Sequence, residues 1–133
     1  MADGIKVGAC DWLGDMRNVV EPWEKNSRTY YRGRVRAVLA DAIEPACCSV
    51  HLLLLMPDPE SELGDCKCVA VNLGSGMGFS QLDFGELASS HDPATGLTLS
   101  FSHAIFDQEL SRMGPTRRTS VRINLATNTV TAL

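Results

Sequence analysis

The residues from Leu97 to Ile105 alternate between apolar and small side chains, with leucine, phenylalanine, histidine and isoleucine at every second position. A period of two places all these larger side chains on one face of an extended chain. The segment therefore predicts a β-strand with one buried face, and this prediction constrains the fold more than any other part of the sequence does.

The sequence on either side of this strand indicates antiparallel partners. Residues 91–96 contain a proline and a glycine and predict a reversal of the chain. The segment from Phe79 to Ala88 is the candidate partner strand, with a short helix as the alternative. The apolar positions from Val121 to Leu125 alternate again, and after a turn the chain returns at 130–132, which predicts a hairpin.

Two apolar runs in the middle of the chain, Ser49 to Met56 and Cys68 to Leu73, are short and bounded by proline or glycine. Runs of this kind are typical of strands buried on both faces. A further strand is predicted from Thr29 to Leu39. Residues 37–44 also fit a helical face, and the pattern leaves strand and helix open there.

These segments give six or seven strands with short connections. The fold class predicted is mainly β: an antiparallel β-sandwich or partly open barrel with at most one or two short helices. At 133 residues, the chain has the length of one domain, 1–133. Residues 1–28 are the least determined part, and Asp11 to Glu24 is expected to form a short helix or a loop.

Charge and hydropathy exclude some classes of function. Twelve basic against sixteen acidic side chains give a net charge of −4, which argues against a nucleic-acid protein that binds by overall charge. The longest apolar run, Val50 to Met56, is far below the ~20 residues that a membrane helix needs. Residues 1–10 lack an apolar stretch of signal-peptide length. We therefore expect a soluble cytoplasmic protein that does not bind membranes.

The five cysteines indicate reduced thiols. Their number is odd, and the adjacent Cys47 and Cys48 cannot bridge each other without strain. A zinc site would have to use Cys47, Cys48, His51, Cys66 and Cys68. Structural zinc ligands are usually separated by two to four residues, whereas these pairs are separated by none and by one. We predict no metal.

The sharpest charge feature is the row Arg32, Arg34 and Arg36. On a strand all three would project from one face beside Tyr30, and guanidinium groups bind phosphate or carboxylate in pairs of hydrogen bonds. Arg117 and Arg118 could add to the row if the fold brings them close. The alternative is a solvated face balanced by the acidic loop at 58–65.

His103 lies on the apolar face of the strand from Leu97 to Ile105. The simplest interpretation is a buried neutral imidazole that hydrogen-bonds to a neighbour. The alternative is the polar anchor of a pocket, or a general base. Asp107 and Glu109 are near in sequence, but no nucleophile–base pattern accompanies them.

The segment from Val69 to Gly78 is an apolar run followed by glycines at 74, 76 and 78. It resembles, over these ten residues, the glycine-rich first motif of S-adenosylmethionine-dependent methyltransferases. The resemblance implies a doubly wound parallel sheet and a cofactor held by backbone N–H groups. However, Asn72 stands where the family usually has an acidic residue, and too little chain follows Gly78 for the remaining strand–helix units. We expect a loop between two strands and no cofactor.

Three functions from different classes follow. The first is a non-catalytic protein-interaction or self-association module, which pairs with a protein partner or a second copy as a homodimer. The second is a small anionic-ligand-binding domain that uses Arg32, Arg34 and Arg36 or a pocket near His103. The third is a small enzyme with His103 or the loop from Gly74 to Gly78 in its site. It ranks last because the sequence shows no nucleophile–base pair and no metal set.

Overall fold

The structure is a computed structural model that describes residues 4–42, 48–74 and 77–133. In these parts of the chain no helix has the length and apolar character needed to cross a membrane. Three short 3-10 turns span Asp11–Gly14, Met16–Asn18 and Trp23–Lys25. The strands are β1 (Ile5–Ala9), β2 (Ser27–Tyr30), β3 (Val35–Asp41), β4 (Val50–Pro57), β5 (Cys66–Leu73), β6 (Gln81–Asp92), β7 (Gly96–Ala104), β8 (Phe106–Asp107), β9 (Arg112–Met113), β10 (Arg117–Asn124) and β11 (Thr129–Ala132).

Two antiparallel sheets pack face to face. The first has five strands in the order β1-β5-β4-β3-β2, the second has four in the order β11-β10-β7-β6, and β8 and β9 form a separate pair. Neither sheet closes into a barrel, and the predicted mainly-β antiparallel class is confirmed. The strands outnumber the six or seven expected, because β2 and β3 form a hairpin where one strand was predicted, residues 5–9 add β1, and the short pair β8–β9 was not predicted.

The main core lies between the two sheets, where alternate side chains from both inner faces meet. Its fully buried members include Leu52 and Leu54 from β4 and Leu99 and Phe101 from β7. The alternation of β7 is as predicted from Leu97 to His103, with Thr98 and Ser100 on the opposite face. Ile105, which was predicted on the buried face, lies beyond the end of the strand and is exposed. The predicted partner segment is strand β6, not a helix, and the C-terminal hairpin is β10–β11.

A side chain from the first sheet donates hydrogen bonds to an irregular segment of β6. The pairing of β6 with β7 shifts between Asp83 and Ala88. Arg28 of β2 reaches across and donates hydrogen bonds to the carbonyl oxygens of Leu87 at 2.5 Å and Phe84 at 3.2 Å. Its guanidinium also lies 5.4 Å from the centre of the Phe84 ring. Arg28 therefore joins the edges of the two sheets, a role that the sequence did not reveal.

Replacing Arg28 with methionine is expected to lower the free energy of unfolding by about 2 kcal/mol, because the carbonyls of the irregular β6 segment lose a charged donor while the apolar stem is kept. Urea unfolding measures the change. Arg32→Met is the matched control: Arg32 is exposed in a turn, so this variant should stay within about 0.5 kcal/mol of the parent. Equal losses in both variants would contradict the role of Arg28.

The outer face of the five-stranded sheet is covered by residues 10–26, which we call the strap. The strap starts at Cys10, whose sulfur is bonded to Cys68 of β5. Leu13 is buried on the sheet in a second, smaller core, and Val19 forms a bridge with β3. The strap therefore crosses from β5 over β4 to β3. Where a short helix or a loop was expected, the chain forms 3-10 turns.

The strap explains why β4 is apolar on both faces. Leu52 and Leu54 point into the main core, whereas Leu53 points to the outer face and packs under the strap. The prediction of strands buried on both faces is confirmed for β4. Residues 37–41 belong to strand β3 and are not helical, and residues 43 and 44 lie outside the described parts.

Candidate functional site

The predicted arginine row does not form. Residues 31–34 are the turn of the β2–β3 hairpin, so Arg32 and Arg34 are exposed in that turn. Tyr31 and Arg32 both adopt positive φ, at 52° and 57°, which breaks the extended alternation. Arg36 alone lies on a strand, where it points to the outer face of the five-stranded sheet. The residues expected to act together are therefore separated by local backbone geometry.

A mainly apolar cavity, which we call the strap pocket, lies between the strap and the sheet. Its volume is about 320 Å³, which falls at the lower end of the about 300–1,000 Å³ typical of small-molecule sites. The strap side of its wall comes from Gly14, Met16, Val19 and Trp23. The sheet side comes from Ser27, Arg36, Val38, Leu53, Leu55 and Cys68.

Two large side chains at the mouth of the strap pocket remain accessible. Met16 is 64% exposed and Trp23 is 49% exposed, although both line the cavity. An indole and a thioether offer broad, polarisable contact area for an apolar guest. In the protein alone, both side chains leave apolar surface in contact with water.

Among the described residues that line the strap pocket, Arg36 alone is charged. In residues 4–42, 48–74 and 77–133 the single ion pair is Arg17–Asp15, and the Arg36 side chain makes no hydrogen bond there. The hydroxyl of Ser27 donates to the carbonyl of Trp23 at 3.0 Å and keeps a lone pair free. The pocket therefore combines apolar walls with one unpaired guanidinium, which matches an apolar molecule carrying an acidic group.

The prediction of reduced thiols is wrong for Cys10 and Cys68, which form a disulfide with a Cα–Cα distance of 5.4 Å. Cys48 is disulfide-bonded as well, whereas Cys66 is a free, exposed thiol. Cys47 lies outside the described residues. The odd count was misleading because it does not show which cysteines the fold brings together across 58 positions.

The bond to Cys10 also removes the sulfur of Cys68 from any metal site. Among the described residues no three metal-ligating side chains cluster. His51 instead pairs its Nδ1 with Oδ1 of Asn72 at 2.6 Å on the outer face.

His103 is buried at the end of the main core, as the simplest interpretation expected. It is 5% exposed, its Nε2 lies 2.8 Å from Oγ1 of Thr119, and its ring packs 4.6 Å from that of Phe79. Burial lowers the pKa of His103, and the positive charge of Arg117 lowers it further. The neutral imidazole is therefore the form that the fold favours.

This pKa direction predicts how stability depends on pH. The unfolded chain takes up the proton of His103 near the ordinary value of about 6.5, and the folded chain only at lower pH. Between these two values the unfolded state binds more protons, so stability falls as the pH drops below about 6.5. Urea unfolding should show this decrease, by at most about 1.4 kcal/mol per pH unit from this group. Arg117→Gln should make the decrease shallower, and an unchanged slope would contradict the contribution of Arg117.

A second cavity lies beside His103, with a volume of about 450 Å³. Its lining includes Ile5 and Leu73 from the first sheet and Arg117 and Arg118 from β10. The guanidinium of Arg118 already donates to Oγ of Ser102 at 3.1 Å, and Nδ1 of His103 has no hydrogen-bond partner in the described parts of the chain. The hydroxyl of Thr119, which pairs with Nε2 of His103, also lines this cavity. Both side chains are buried, at 8% and 5% exposure, so the cavity offers less accessible surface for a ligand than the strap pocket does.

The glycine-rich segment ends strand β5 and leads back to β4. Ser75 and Gly76 lie outside the described residues, and the N–H of Gly78 donates to the carbonyl of Cys48 at 2.9 Å. A Cβ at position 78 would lie 2.6 Å from the carbonyl oxygen of Val50, so glycine is required for this close approach. The neighbours of β5 are antiparallel, unlike the parallel sheet that the methyltransferase resemblance implies.

Comparison of the chain with protein-family models, with curated proteins and with solved structures gives no match.

Proposed function

We propose that the protein is a non-catalytic binding module that holds a small organic carboxylate in the strap pocket. The observation that carries the proposal is the guanidinium of Arg36, which has no hydrogen-bond or ion-pair partner among the described residues, at the edge of a cavity that is apolar apart from Ser27. This is the anionic-ligand alternative of the sequence analysis, with Arg36 acting without Arg32 and Arg34.

The size and chemistry of the strap pocket define the ligand class. A cavity of about 320 Å³ suits a body of one aromatic ring or a short acyl chain, which Trp23 and Leu55 can contact. The carboxylate would accept hydrogen bonds from Arg36, because a charged pair at the mouth stays partly solvated and escapes a full desolvation penalty. Phenylpropionate combines both features and serves as the probe.

Calorimetric titration with phenylpropionate tests the proposal. We expect a dissociation constant on the order of 1 mM, typical of a fragment of this size. The isosteric neutral amide should bind about tenfold more weakly, and so should phenylpropionate with the Arg36→Gln variant, because a charged hydrogen-bond partner is worth about 1.4 kcal/mol or more.

Arg34→Gln is the matched control, since it removes the same charge from the exposed turn only two positions away. Its affinity should equal that of the parent protein. A loss of affinity that is the same for Arg34→Gln and Arg36→Gln would mean that net charge and not the pocket attracts the ligand.

A second candidate is self-association, the leading prediction of the sequence analysis. Strand β6 supports it, because this twelve-residue strand has β7 as its only hydrogen-bonded neighbour in the second sheet. The end of β6 from Ala88 to Asp92 is exposed and regular, so it could pair with the same segment of a second copy. Light scattering tests this: Ser90→Pro should convert a dimer to a monomer, and a parent protein that is monomeric at high concentration would exclude the candidate.

A cytoplasmic location stays part of the proposal, subject to one condition. Disulfides in that compartment are typically transient or regulatory, so Cys10 and Cys68 would be bonded only part of the time there. Rapid alkylation of thiols in intact cells, followed by peptide mass spectrometry, tests this. A bond that is always complete would point to an oxidising compartment.

A further inference from the structure

We propose that the Cys10–Cys68 disulfide is a redox switch that controls ligand binding in the strap pocket. This inference rests on the proposed function, since it concerns the regulation of the same site. It starts from the way in which the strap is attached to the sheet.

Backbone hydrogen bonds attach the strap to the sheet at its first end and again from Val20 onward. At the first end, Cys10 is bonded to Cys68, and its N–H donates to the carbonyl of Cys68 at 3.2 Å. From Val20 onward, the N–H of Val20 donates to the carbonyl of Leu39 at 3.1 Å, and the carbonyl of Asn26 accepts from the N–H of Leu39 at 2.9 Å. The hydrogen bonds recorded for residues 11–18 in the described chain all stay within the strap. The disulfide is therefore the covalent anchor of the first end.

The same disulfide forms part of the wall of the strap pocket. Cys68 lines the cavity, and the strap passes directly over the bond at Gly14, where an added Cβ would lie 3.7 Å from Sγ of Cys68. When the bond is broken, Leu13 is the main buried side chain that keeps residues 11–18 on the sheet. The distance from Met16 on the strap to Leu55 and Val38 on the sheet is then no longer fixed, so the two walls of the pocket can separate.

The switching reaction is a thiol–disulfide exchange with a dithiol reductant. A thiolate of the reductant attacks Sγ of Cys68, which is half-buried, and the sulfur of the more deeply buried Cys10 leaves and takes up a proton. The second thiol of the reductant then displaces Cys68. Two electrons and two protons pass to the protein, which gains two thiols, and the reductant becomes a disulfide.

Binding and redox state must affect each other equally, because both belong to one thermodynamic cycle. If the disulfide strengthens binding of phenylpropionate, phenylpropionate must stabilise the disulfide by the same factor. A ligand in the strap pocket also shields Sγ of Cys68 from the reductant.

The first test compares the affinity for phenylpropionate before and after reduction by a trialkylphosphine, which supplies the same two electrons. We expect a loss of about tenfold on reduction. The Cys10→Ala/Cys68→Ala variant should bind as weakly as the reduced protein and should not respond to phosphine, which separates this bond from the one at Cys48. All measurements use the Cys66→Ala background, so that the free thiol cannot exchange with the disulfide.

The second test uses only the oxidised protein, and therefore does not depend on the stability of the reduced form. Saturating phenylpropionate should slow reduction of the Cys10–Cys68 bond several-fold, and Arg36→Gln should shift this protection to about tenfold higher ligand concentration. If phenylpropionate binds in the strap pocket but leaves the reduction rate unchanged, the switch is wrong and the proposed function stands. If phenylpropionate does not bind to the oxidised protein, the proposed function itself fails.

Discussion

Replacing both Cys10 and Cys68 with alanine is expected to lower the free energy of unfolding by roughly 4 kcal/mol. The bond joins residues 58 positions apart, so it closes a long loop and removes many conformations from the unfolded chain. The loop contains the strap and strands β2 to β4, which means that the bond restrains most of the first sheet. Urea unfolding in the absence of reductant measures the loss.

Cys66→Ala is the control for this variant. The thiol of Cys66 is exposed and free, so its removal should change stability by no more than about 0.5 kcal/mol. A double variant that lost less than about 1 kcal/mol would show that the bond does not restrain the unfolded chain in the way that the structure requires.

Gly96→Ala is expected to destabilise the sandwich by about 3 kcal/mol or more. Gly96 has φ of +103° at the turn between β6 and β7, and a Cβ there would lie 2.2 Å from the carbonyl oxygen of Ile123. Backbone atoms of the neighbouring strand β10 cannot move aside as a flexible side chain can. The substitution therefore combines backbone strain with a forced shift of β7 against β10.

Gly33→Ala separates these two causes. Gly33 also has positive φ, at +89°, but a Cβ there would meet nothing within 4 Å. Gly33→Ala should lower the free energy of unfolding by about 1 kcal/mol, because only backbone strain opposes the substitution. Thermal unfolding of both variants measures the difference. Equal losses would contradict the pairing of β7 with β10 described here.

The second half of the chain could be predicted because its strands have one buried and one exposed face. In β7, Leu99 and Phe101 are buried while Ser100 stays on the outer face, so burial repeats with the period of the strand itself. The β2–β3 hairpin could not be predicted in the same way. Arginines occupy every second position from 32 to 36, as they would in a continuous strand, although residues 31–34 form a turn. The ring of Tyr31 also lies 5.2 Å from that of His91, a contact between residues sixty positions apart in the sequence.

The strap pocket escaped sequence analysis because its walls come from segments that are far apart in the chain. Arg36 was selected, but as part of a row that does not form. One signal could have pointed to the strap: strands buried on both faces need a cover on each side, and residues 1–28 were the longest stretch without a predicted strand. That stretch contains both tryptophans, Trp12 and Trp23.

The most direct test of the account is to follow methyl and indole NMR signals while phenylpropionate is added. If phenylpropionate binds in the strap pocket, we expect the NMR signals of the Trp23 indole and of the methyl groups of Met16, Val38 and Leu55 to shift together. All of these shifts should follow one binding curve. The signals of Ile5 and Leu73, beside the second cavity, should stay in place. Shifts of the Ile5 and Leu73 signals, with the signals of Trp23 and Met16 unchanged, would contradict binding in the strap pocket.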